Sequence, residues 1–160
     1  DLAITLCVNN LAQYASICQR SGLVPIVEPE IVPNGAHDID ACAIATEKVL
    51  VAQFAALKAH GVYLEGAVLK PNMVKNGIKG PEAPTEAIAA LTVTALKRTV
   101  PPAMPGIGTH TRSRDDQPSL DAMSSATRGT ASLAASELRK ARRRRSESRS
   151  LTERQYSAHA

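Results

Sequence analysis

The sequence predicts an α/β fold in which helices alternate with the strands of a parallel sheet. Two short, apolar, β-branched segments, residues 24–32 and 62–70, have the composition of buried strands. A long helical pattern over residues 38–60 separates them, and further helical patterns cover residues 1–20 and 85–99. Strands joined by helices of this length form right-handed βαβ units, so the two strands are expected to lie parallel.

The first two elements are a helix over residues 1–20 and a strand over residues 24–32. Apolar residues recur along the first segment with helical spacing, and Gly22 is suited to end the helix. These apolar positions are Leu2, Leu6, Leu11, Tyr14 and Ile17. The strand contains two prolines, which argue against a central antiparallel position, and a Pro-Asn-Gly turn at residues 33–35 ends it.

A long helix is predicted over residues 38–60, with Asp38 as its N-cap and Gly61 just after its C-terminus. Its expected buried stripe consists of Ile39, Cys42, Thr46, Val49, Leu50, Phe54 and Leu57. The second strand, residues 62–70, follows directly and ends before a proline.

The last predicted elements are a Gly/Pro-rich loop over residues 75–84 and a helix over residues 85–99. The adjacent prolines Pro101 and Pro102 stop this helix, because proline lacks the N–H that would continue it. Helix, strand, helix, strand, loop and helix thus succeed one another over the first two-thirds of the chain.

The basic charge of the chain belongs to its C-terminal third. Residues 1–106 hold 8 Lys and Arg against 9 Asp and Glu, whereas residues 107–160 hold 11 against 6. After Ile107 the sequence is rich in Ser, Thr and Arg and poor in apolar residues, a composition that does not support a packed core. We therefore divide the chain into a folded domain, residues 1–107, and a low-complexity Arg/Ser-rich tail, residues 108–160, which we expect to be disordered.

The run of four arginines from Arg142 to Arg145 leaves two interpretations open. Such a run could bind nucleic acid or another acidic surface with a salt-dependent affinity, because cations released from the partner drive the binding. It could equally be a solvated charge run without a partner. The tail has no interleaved aromatic residues, which favours the second interpretation, so nucleic acid is an unfavoured partner.

Membrane insertion and metal binding find little support in the sequence. No run approaches the roughly 18 consecutive apolar residues of a membrane span, and Asp1 is not followed by the pattern of a secretory leader. Cys7, Cys18 and Cys42 lack metal-type spacing and leave one cysteine unpaired in any disulfide scheme. We expect a soluble protein in the reducing cytoplasm.

Three ionisable residues stand at the ends of the two predicted strands. Glu28 and Glu30 alternate along the first strand and share a face, and Lys70 ends the second strand. Small Gly66 is expected to leave space on the lysine's face. Carboxylates on a buried sheet face need a cation or hydrogen bonds, and a lysine there can act as an amine nucleophile that forms an imine.

Two plainer interpretations remain open from the spacing alone. The carboxylates of Glu28 and Glu30 could emerge into solvent at the rim of the sheet. Lys70 could be a surface lysine paired with a glutamate, which is the commoner situation in proteins. The residues by themselves do not decide between these alternatives and a working site.

The exact sequence strings resemble those of class I fructose-bisphosphate aldolases. The strings that carry the resemblance are YASIC (14–18), VPIVEPEI (24–31), HD (37–38), TEKVL (46–50), YLEG (63–66), LKPNMV (69–74) and TVTALKRTVPPA (92–103). They follow in the family's order and cover about residues 1–107, whereas the C-terminal part does not match. VEPE and LKPNMV in this order are highly specific.

The resemblance implies a fold, a reaction and roles for individual residues. Lys70 matches the lysine that forms a Schiff base with the ketone of fructose 1,6-bisphosphate or dihydroxyacetone phosphate. Glu28 matches the acid/base glutamate, and Glu30 matches a second glutamate that supports the lysine. The family fold is a (β/α)₈ barrel, so this chain is expected to form a partial barrel. The reaction needs no metal or other cofactor, because the protonated imine accepts the electrons.

The resemblance also implies a function in glycolysis, a sugar-phosphate substrate and, in the family at large, a homotetramer. Two features limit what is expected of this polypeptide. A complete barrel typically needs about 250 residues, and Gly108-Thr109-His110 stands where the family has a Ser-Gly-Gly phosphate-binding loop. We expect the family activity to be fructose-bisphosphate cleavage and this chain alone to be inactive. The alternative function is a catalytically incompetent remnant that binds or scaffolds.

Overall fold

The computed structural model describes residues 1–109. Its elements are α1 (Leu2–Arg20), β1 (Ile26–Val27), α2 (Ile39–Ala59), a 3₁₀ turn (Leu64–Gly66), β2 (Val68–Leu69) and α3 (Thr85–Thr99). The predicted α/β class is confirmed in this range. No helix within it is both long enough and apolar enough to cross a membrane. The expectation of a disordered tail falls on residues 110–160, outside the described residues.

Strands β1 and β2 pair in parallel, as predicted from the helix between them. Ile26 lies opposite Val68, and Val27 lies opposite Leu69. The ladder is flanked by the bond from the Lys70 N–H to the Val27 carbonyl, at 2.8 Å. Beyond β2, Leu69 forms a further parallel bridge with Ile107. The sheet therefore continues past β2 in the same direction.

Both strands are much shorter than the predicted segments. Pro25 and Pro29 lack an N–H and lie on either side of β1, so neither can donate a ladder hydrogen bond that would lengthen this strand of two residues. In the second segment, Leu64–Gly66 form a 3₁₀ turn instead of extended chain. Gln19 holds this turn, because its Nε2 donates to the Tyr63 carbonyl at 2.7 Å and its Oε1 accepts from the Tyr63 N–H at 2.9 Å.

The prediction that Gly66 leaves space beside Lys70 is wrong. Gly66 belongs to the 3₁₀ turn, and a Cβ there would lie 3.0 Å from the ring of Tyr63 and 3.3 Å from Gln19 Nε2. The glycine is needed for the close approach of these side chains to the turn. The strand period of two, on which the prediction rested, does not extend back beyond Ala67.

The two faces of the short sheet differ sharply in burial. Val27 and Leu69 are 0% exposed and pack in the main hydrophobic cluster with residues of the helices. Ile26, on the opposite face, is 45% exposed. Glu28 and Glu30 continue the exposed alternation beyond β1. The carboxylates therefore share a face, as predicted, but within the described residues it is the open one.

Helix α2 begins and ends where the sequence indicates. Asp38 is its N-cap, and the side chain accepts a hydrogen bond from the Ala41 N–H at 2.8 Å. Gly61 follows its C-terminus with a positive φ of 66°, a conformation that favours glycine. Most of the predicted stripe is buried: Cys42, Thr46, Leu50, Phe54 and Leu57. The polar Gln53 is buried as well, and its Nε2 donates to the Val8 carbonyl at 3.3 Å.

Helix α1 is confirmed, but its buried face is not the one its large apolar residues suggest. Its buried residues are the small Val8, Ala12 and Ala15, which fit a close approach to α2. Leu2 and Ile17 are 73% and 57% exposed. The helix therefore packs through small side chains and presents larger ones outward.

Helix α3 is tied to the segment that leaves β2 through one buried hydroxyl. Thr92, 1% exposed, accepts a hydrogen bond from the Val74 N–H at 2.9 Å and donates to the Ile88 carbonyl at 2.6 Å. A buried N–H that loses its acceptor costs more free energy than an ordinary hydrogen bond contributes. This contact thus fixes the chain just beyond Lys70 against the helix layer.

Replacing Thr92 by valine should lower the free energy of unfolding by about 1–3 kcal/mol, because the Val74 N–H then remains buried without its acceptor. Urea unfolding followed by far-UV circular dichroism measures the change. Thr94→Val is the matched control, since Thr94 is only half-buried and its hydroxyl donates an exposed hydrogen bond to a carbonyl of its own helix. It should change stability by no more than about 0.5 kcal/mol. Equal losses for both variants would contradict the role given to Thr92.

Candidate active site

Lys70 and Glu28 meet where the two parallel strands end. Each directly follows its strand, and neighbouring parallel strands bring their carboxyl ends to the same edge of the sheet. The Lys70 Nζ lies 2.6 Å from Glu28 Oε2 and donates to it. The lysine and the first carboxylate of the predicted site are therefore in direct contact.

This ion pair is partly open to solvent. The side chains of Lys70 and Glu28 are 37% and 49% exposed. The exposure agrees with carboxylates that emerge at the rim of the sheet, one of the alternatives left open by the sequence. The backbone register of the strands brings the two side chains together, since tight packing does not hold side chains this exposed. An exposed ion pair of this kind contributes little to stability.

The pair lies in the wall of a cavity of about 440 Å³. All three predicted site residues line it, including Glu30. The other lining residues are Ile31, Pro33, His37, Cys42, Pro71, Asn72, Met73, Lys75, Asn76 and Ile78. Acidic, basic and uncharged polar side chains thus surround a space large enough for a small organic molecule.

Two loops that the sequence did not connect form the mouth of this cavity. Residues 33–38 follow β1 and residues 75–80 follow β2, and backbone hydrogen bonds join them. The Gly77 N–H donates to the His37 carbonyl at 2.9 Å, and the Lys79 N–H donates to the Gly35 carbonyl at 3.0 Å. A Cβ at Gly77 would overlap the carbonyl oxygen of Gly35. The glycines of the two loops are the sequence signal for this contact, but from the sequence they predict only turns.

Tyr14 on α1, which belongs both to the predicted helix pattern and to the string YASIC, has a perturbed phenol. Its phenol forms a side-chain hydrogen bond with Cys18, one turn later on α1, and this bond raises the pKa of Tyr14. The charges of Cys18 and Glu28, together with slight desolvation, raise this pKa further. The smallest of these effects on the pKa, the charge of Glu28, links Tyr14 electrostatically to the candidate site.

No group of three or more His, Cys, Asp or Glu is arranged to hold a metal ion within residues 1–109. Glu28 instead pairs with Lys70, and Glu30 lines the same cavity. The arrangement suits chemistry in which an amine and a carboxylate exchange protons at one edge of a cavity.

The raised pKa of Tyr14 predicts that its phenol titrates above the ordinary value of about 10. NMR of ¹³C-labelled tyrosine should show this, and Cys18→Ala should move the titration back toward the ordinary value. Cys7→Ala, an exposed cysteine on the same helix, should leave it unchanged. Because the folded-state pKa is the higher one, the contact stabilises the fold below about pH 10 and ceases to do so as pH rises through that pKa. An ordinary titration in the unaltered chain would contradict the Cys18 contact.

Comparisons with known proteins show the family to which the chain belongs. The family model described as "Fructose-bisphosphate aldolase class-I" matches residues 1–128, which extends beyond the strings recognised in the sequence. Fructose-bisphosphate aldolase C from Homo sapiens is 61% identical over 107 residues, covering 66% of this chain and 29% of the relative. Fructose-bisphosphate aldolase 5, cytosolic, from Arabidopsis thaliana is 57% identical over 107 residues, covering 67% and 30%.

A solved structure has the same fold over most of this chain. The fructose-bisphosphate aldolase from Plasmodium falciparum, in complex with TRAP and a small-molecule inhibitor, superposes with a TM-score of 0.76 at 46% identity. The match covers 79% of this chain and 38% of that one. This chain spans about 30% of the length of the curated relatives it matches. By its family match, its relatives and its structure, the chain belongs to the class I fructose-bisphosphate aldolase family.

Proposed function

We propose that this chain carries the imine-forming part of a class I fructose-bisphosphate aldolase, a lyase of glycolysis. Lys70 is the nucleophile, Glu28 carries protons, and Glu30 is the second carboxylate of the site. The observation that supports this most is the 2.6 Å contact between Lys70 Nζ and Glu28 Oε2 at the ends of two parallel strands. It combines an amine, a base and a cavity at one edge of the sheet.

In the proposed reaction, the uncharged Lys70 amine attacks the C2 ketone of fructose 1,6-bisphosphate and forms a carbinolamine. Loss of its hydroxyl as water requires a proton, which Glu28 is close enough to deliver. The resulting protonated imine draws the electrons of the C3–C4 bond as that bond breaks, and the C4 hydroxyl loses its proton. The Glu28 carboxylate, left by its earlier proton transfer, accepts the C4 proton. Glyceraldehyde 3-phosphate leaves first and an enamine remains on Lys70. Protonation of this enamine at C3 restores an imine, whose hydrolysis releases dihydroxyacetone phosphate.

Glu30 would support this chemistry by its charge. It follows Glu28 by two residues on the exposed alternation beyond β1 and lines the same cavity. A second carboxylate near Lys70 would stabilise the positive charge of the protonated imine, the form that accepts the C3–C4 electrons. Pro29 between them restricts the backbone φ and so limits their relative movement.

The finer features of the family belong to the same proposal. We infer that the described α/β unit is part of a (β/α)₈ barrel, supported by the parallel bridge from Leu69 to Ile107. A cytoplasmic location is supported by the cytosolic relative from Arabidopsis thaliana. Sugar phosphates are the proposed substrates, and a homotetramer is the proposed assembly of the complete enzyme.

A second candidate function is a remnant without turnover that binds or scaffolds. The partial exposure of Lys70 and Glu28 favours it, because aldolase chemistry benefits from a site closed to water. The sequence Gly108-Thr109-His110 in place of a Ser-Gly-Gly loop also favours it. Under this candidate, the lysine and carboxylate persist but the substrate is not held for cleavage.

Borohydride reduction in the presence of dihydroxyacetone phosphate should attach the ligand covalently to Lys70, because reduction traps the imine as a stable amine. Peptide mapping by mass spectrometry locates the label. Lys70→Met should abolish it, whereas Lys58→Met, which removes a lysine from the last turn of α2, should not. Label on Lys48 or Lys97 in place of Lys70 would refute the assignment of the nucleophile.

The isolated 160-residue chain should cleave fructose 1,6-bisphosphate at least about 100-fold more slowly than the usual enzyme range of roughly 1–10³ s⁻¹, since orientation of the ketone is incomplete. A coupled assay for the triose phosphates measures this. Imine trapping should also differ by less than about threefold between dihydroxyacetone and its phosphate, because remote binding energy from the phosphate is missing. Ordinary turnover would rule out the remnant and support the complete lyase.

A further inference from the structure

Asn72 lies two residues beyond Lys70, and its carboxamide joins three parts of the fold. Its Oδ1 accepts a hydrogen bond from the Ile31 N–H at 3.0 Å. Its Nδ2 donates to Thr46 Oγ1 at 3.3 Å and to the Met73 carbonyl at 3.0 Å. One side chain thus links the segment leaving β1, the segment leaving β2 and helix α2.

The position of the Ile31 link explains why it matters for the site. Regular pairing ends with the bond from the Lys70 N–H to the Val27 carbonyl. Beyond it, the segment carrying Glu28 and the segment carrying Lys70 no longer share ladder hydrogen bonds with each other. The bond between Ile31 and Asn72 joins them again three residues past Glu28, and so limits how far the two segments can separate.

Thr46 gives this link a rigid support. It is 2% exposed in the middle of α2, and its hydroxyl receives one of the Asn72 N–H groups. A carboxamide held by the helix layer cannot swing with the loop that carries it. By contrast, the Thr92 anchor described above fixes the chain at Val74 against α3 and does not reach the segment that carries Glu28.

Lys70 and Glu28 depend on such support because their own side chains are only partly packed. At 37% and 49% exposure they retain freedom that opposes a fixed contact. We propose that Asn72 is a positioning residue, whose carboxamide holds the two strand exits at the separation at which Lys70 and Glu28 meet. Its meaning for catalysis rests on the proposed function, whereas its effect on the ion pair does not.

The test measures how strongly Glu28 protects the Lys70 amine from acetylation, with and without Asn72. We call this effect of Glu28 on the Lys70 rate the coupling of the two residues. Trace acetic anhydride acetylates amines, and mass spectrometry gives the rate at Lys70 relative to the reference lysines Lys48 and Lys58. Glu28→Gln should raise the relative Lys70 rate about fivefold, because the charge-assisted hydrogen bond that engages the amine is weakened. In the Asn72→Ala background, the same substitution should change the rate by less than about twofold. Equal effects in both backgrounds would overturn the proposal.

Two further variants separate positioning from general loss of structure. Asn9→Ala is the matched control, since Asn9 also bridges two elements, through the Thr5 carbonyl and the His60 ring, but does not line the cavity. It should leave the coupling unchanged. Thr46→Val removes the acceptor in α2 without altering the cavity wall and should reduce the coupling in part. If Asn72→Ala fails to fold, all lysines react faster together, and the Thr46→Val result then decides.

Imine trapping on the same variants distinguishes this inference from the proposed function. Lys70 labelling with dihydroxyacetone phosphate should fall about tenfold in Asn72→Ala, less than the roughly hundredfold that a 1 Å misplacement can cost. It should be unchanged in Asn9→Ala. If Asn72→Ala abolishes the coupling but the unaltered chain takes no label at Lys70, the positioning role is upheld and the imine function is refuted. If Lys70 of the unaltered chain is labelled but the coupling persists in Asn72→Ala, the imine function is upheld and the positioning role is refuted.

Discussion

The parallel register of two very short strands determines most of what this chain can do. With Ile26 opposite Val68, the residues that follow the strands, Glu28 and Lys70, emerge side by side at one edge. A shift of one residue would turn every side chain of one strand to the other face. The ion pair, the cavity and the mouth loops all lie beyond the ends of this ladder, and their positions follow from its register.

A ladder of two residues per strand cannot hold this register by its own hydrogen bonds. Support comes from the layer behind it, where Val27 and Leu69 are completely buried among helix residues. Additional support comes from polar side chains that reach across the sequence. Gln19 holds the turn before β2, and Asn72 joins the two exits after the ladder. The edge that carries the candidate site is therefore stabilised from both ends of the strands.

The sequence sufficed to predict the elements that local chemistry determines. The Asp38 cap and the order of helices and strands followed from capping and periodicity, and the contact of Lys70 with Glu28 agrees with parallel strands whose ends must meet. Which face of α1 and of the sheet is buried could not be predicted from the sequence. Helix α1 packs through small residues such as Ala12, and the sheet leaves the face that carries the carboxylates open. Links such as that of Gln19 to Tyr63, which are 44 residues apart, leave no periodic signal. The sequence therefore predicts the contact at the strand ends better than the packing that supports it.

The loops that follow β1 and β2 are joined through their backbones, and this decides which of their positions can vary. Gly35 and Gly77 approach so closely that a Cβ at Gly77 would overlap the Gly35 carbonyl oxygen. The side chains of Asn34 and Lys79 are exposed and take no part in the backbone hydrogen bonds between the loops. Size and charge can therefore change at these two positions while the loops keep their path, whereas one added methyl group at Gly77 would force the loops apart.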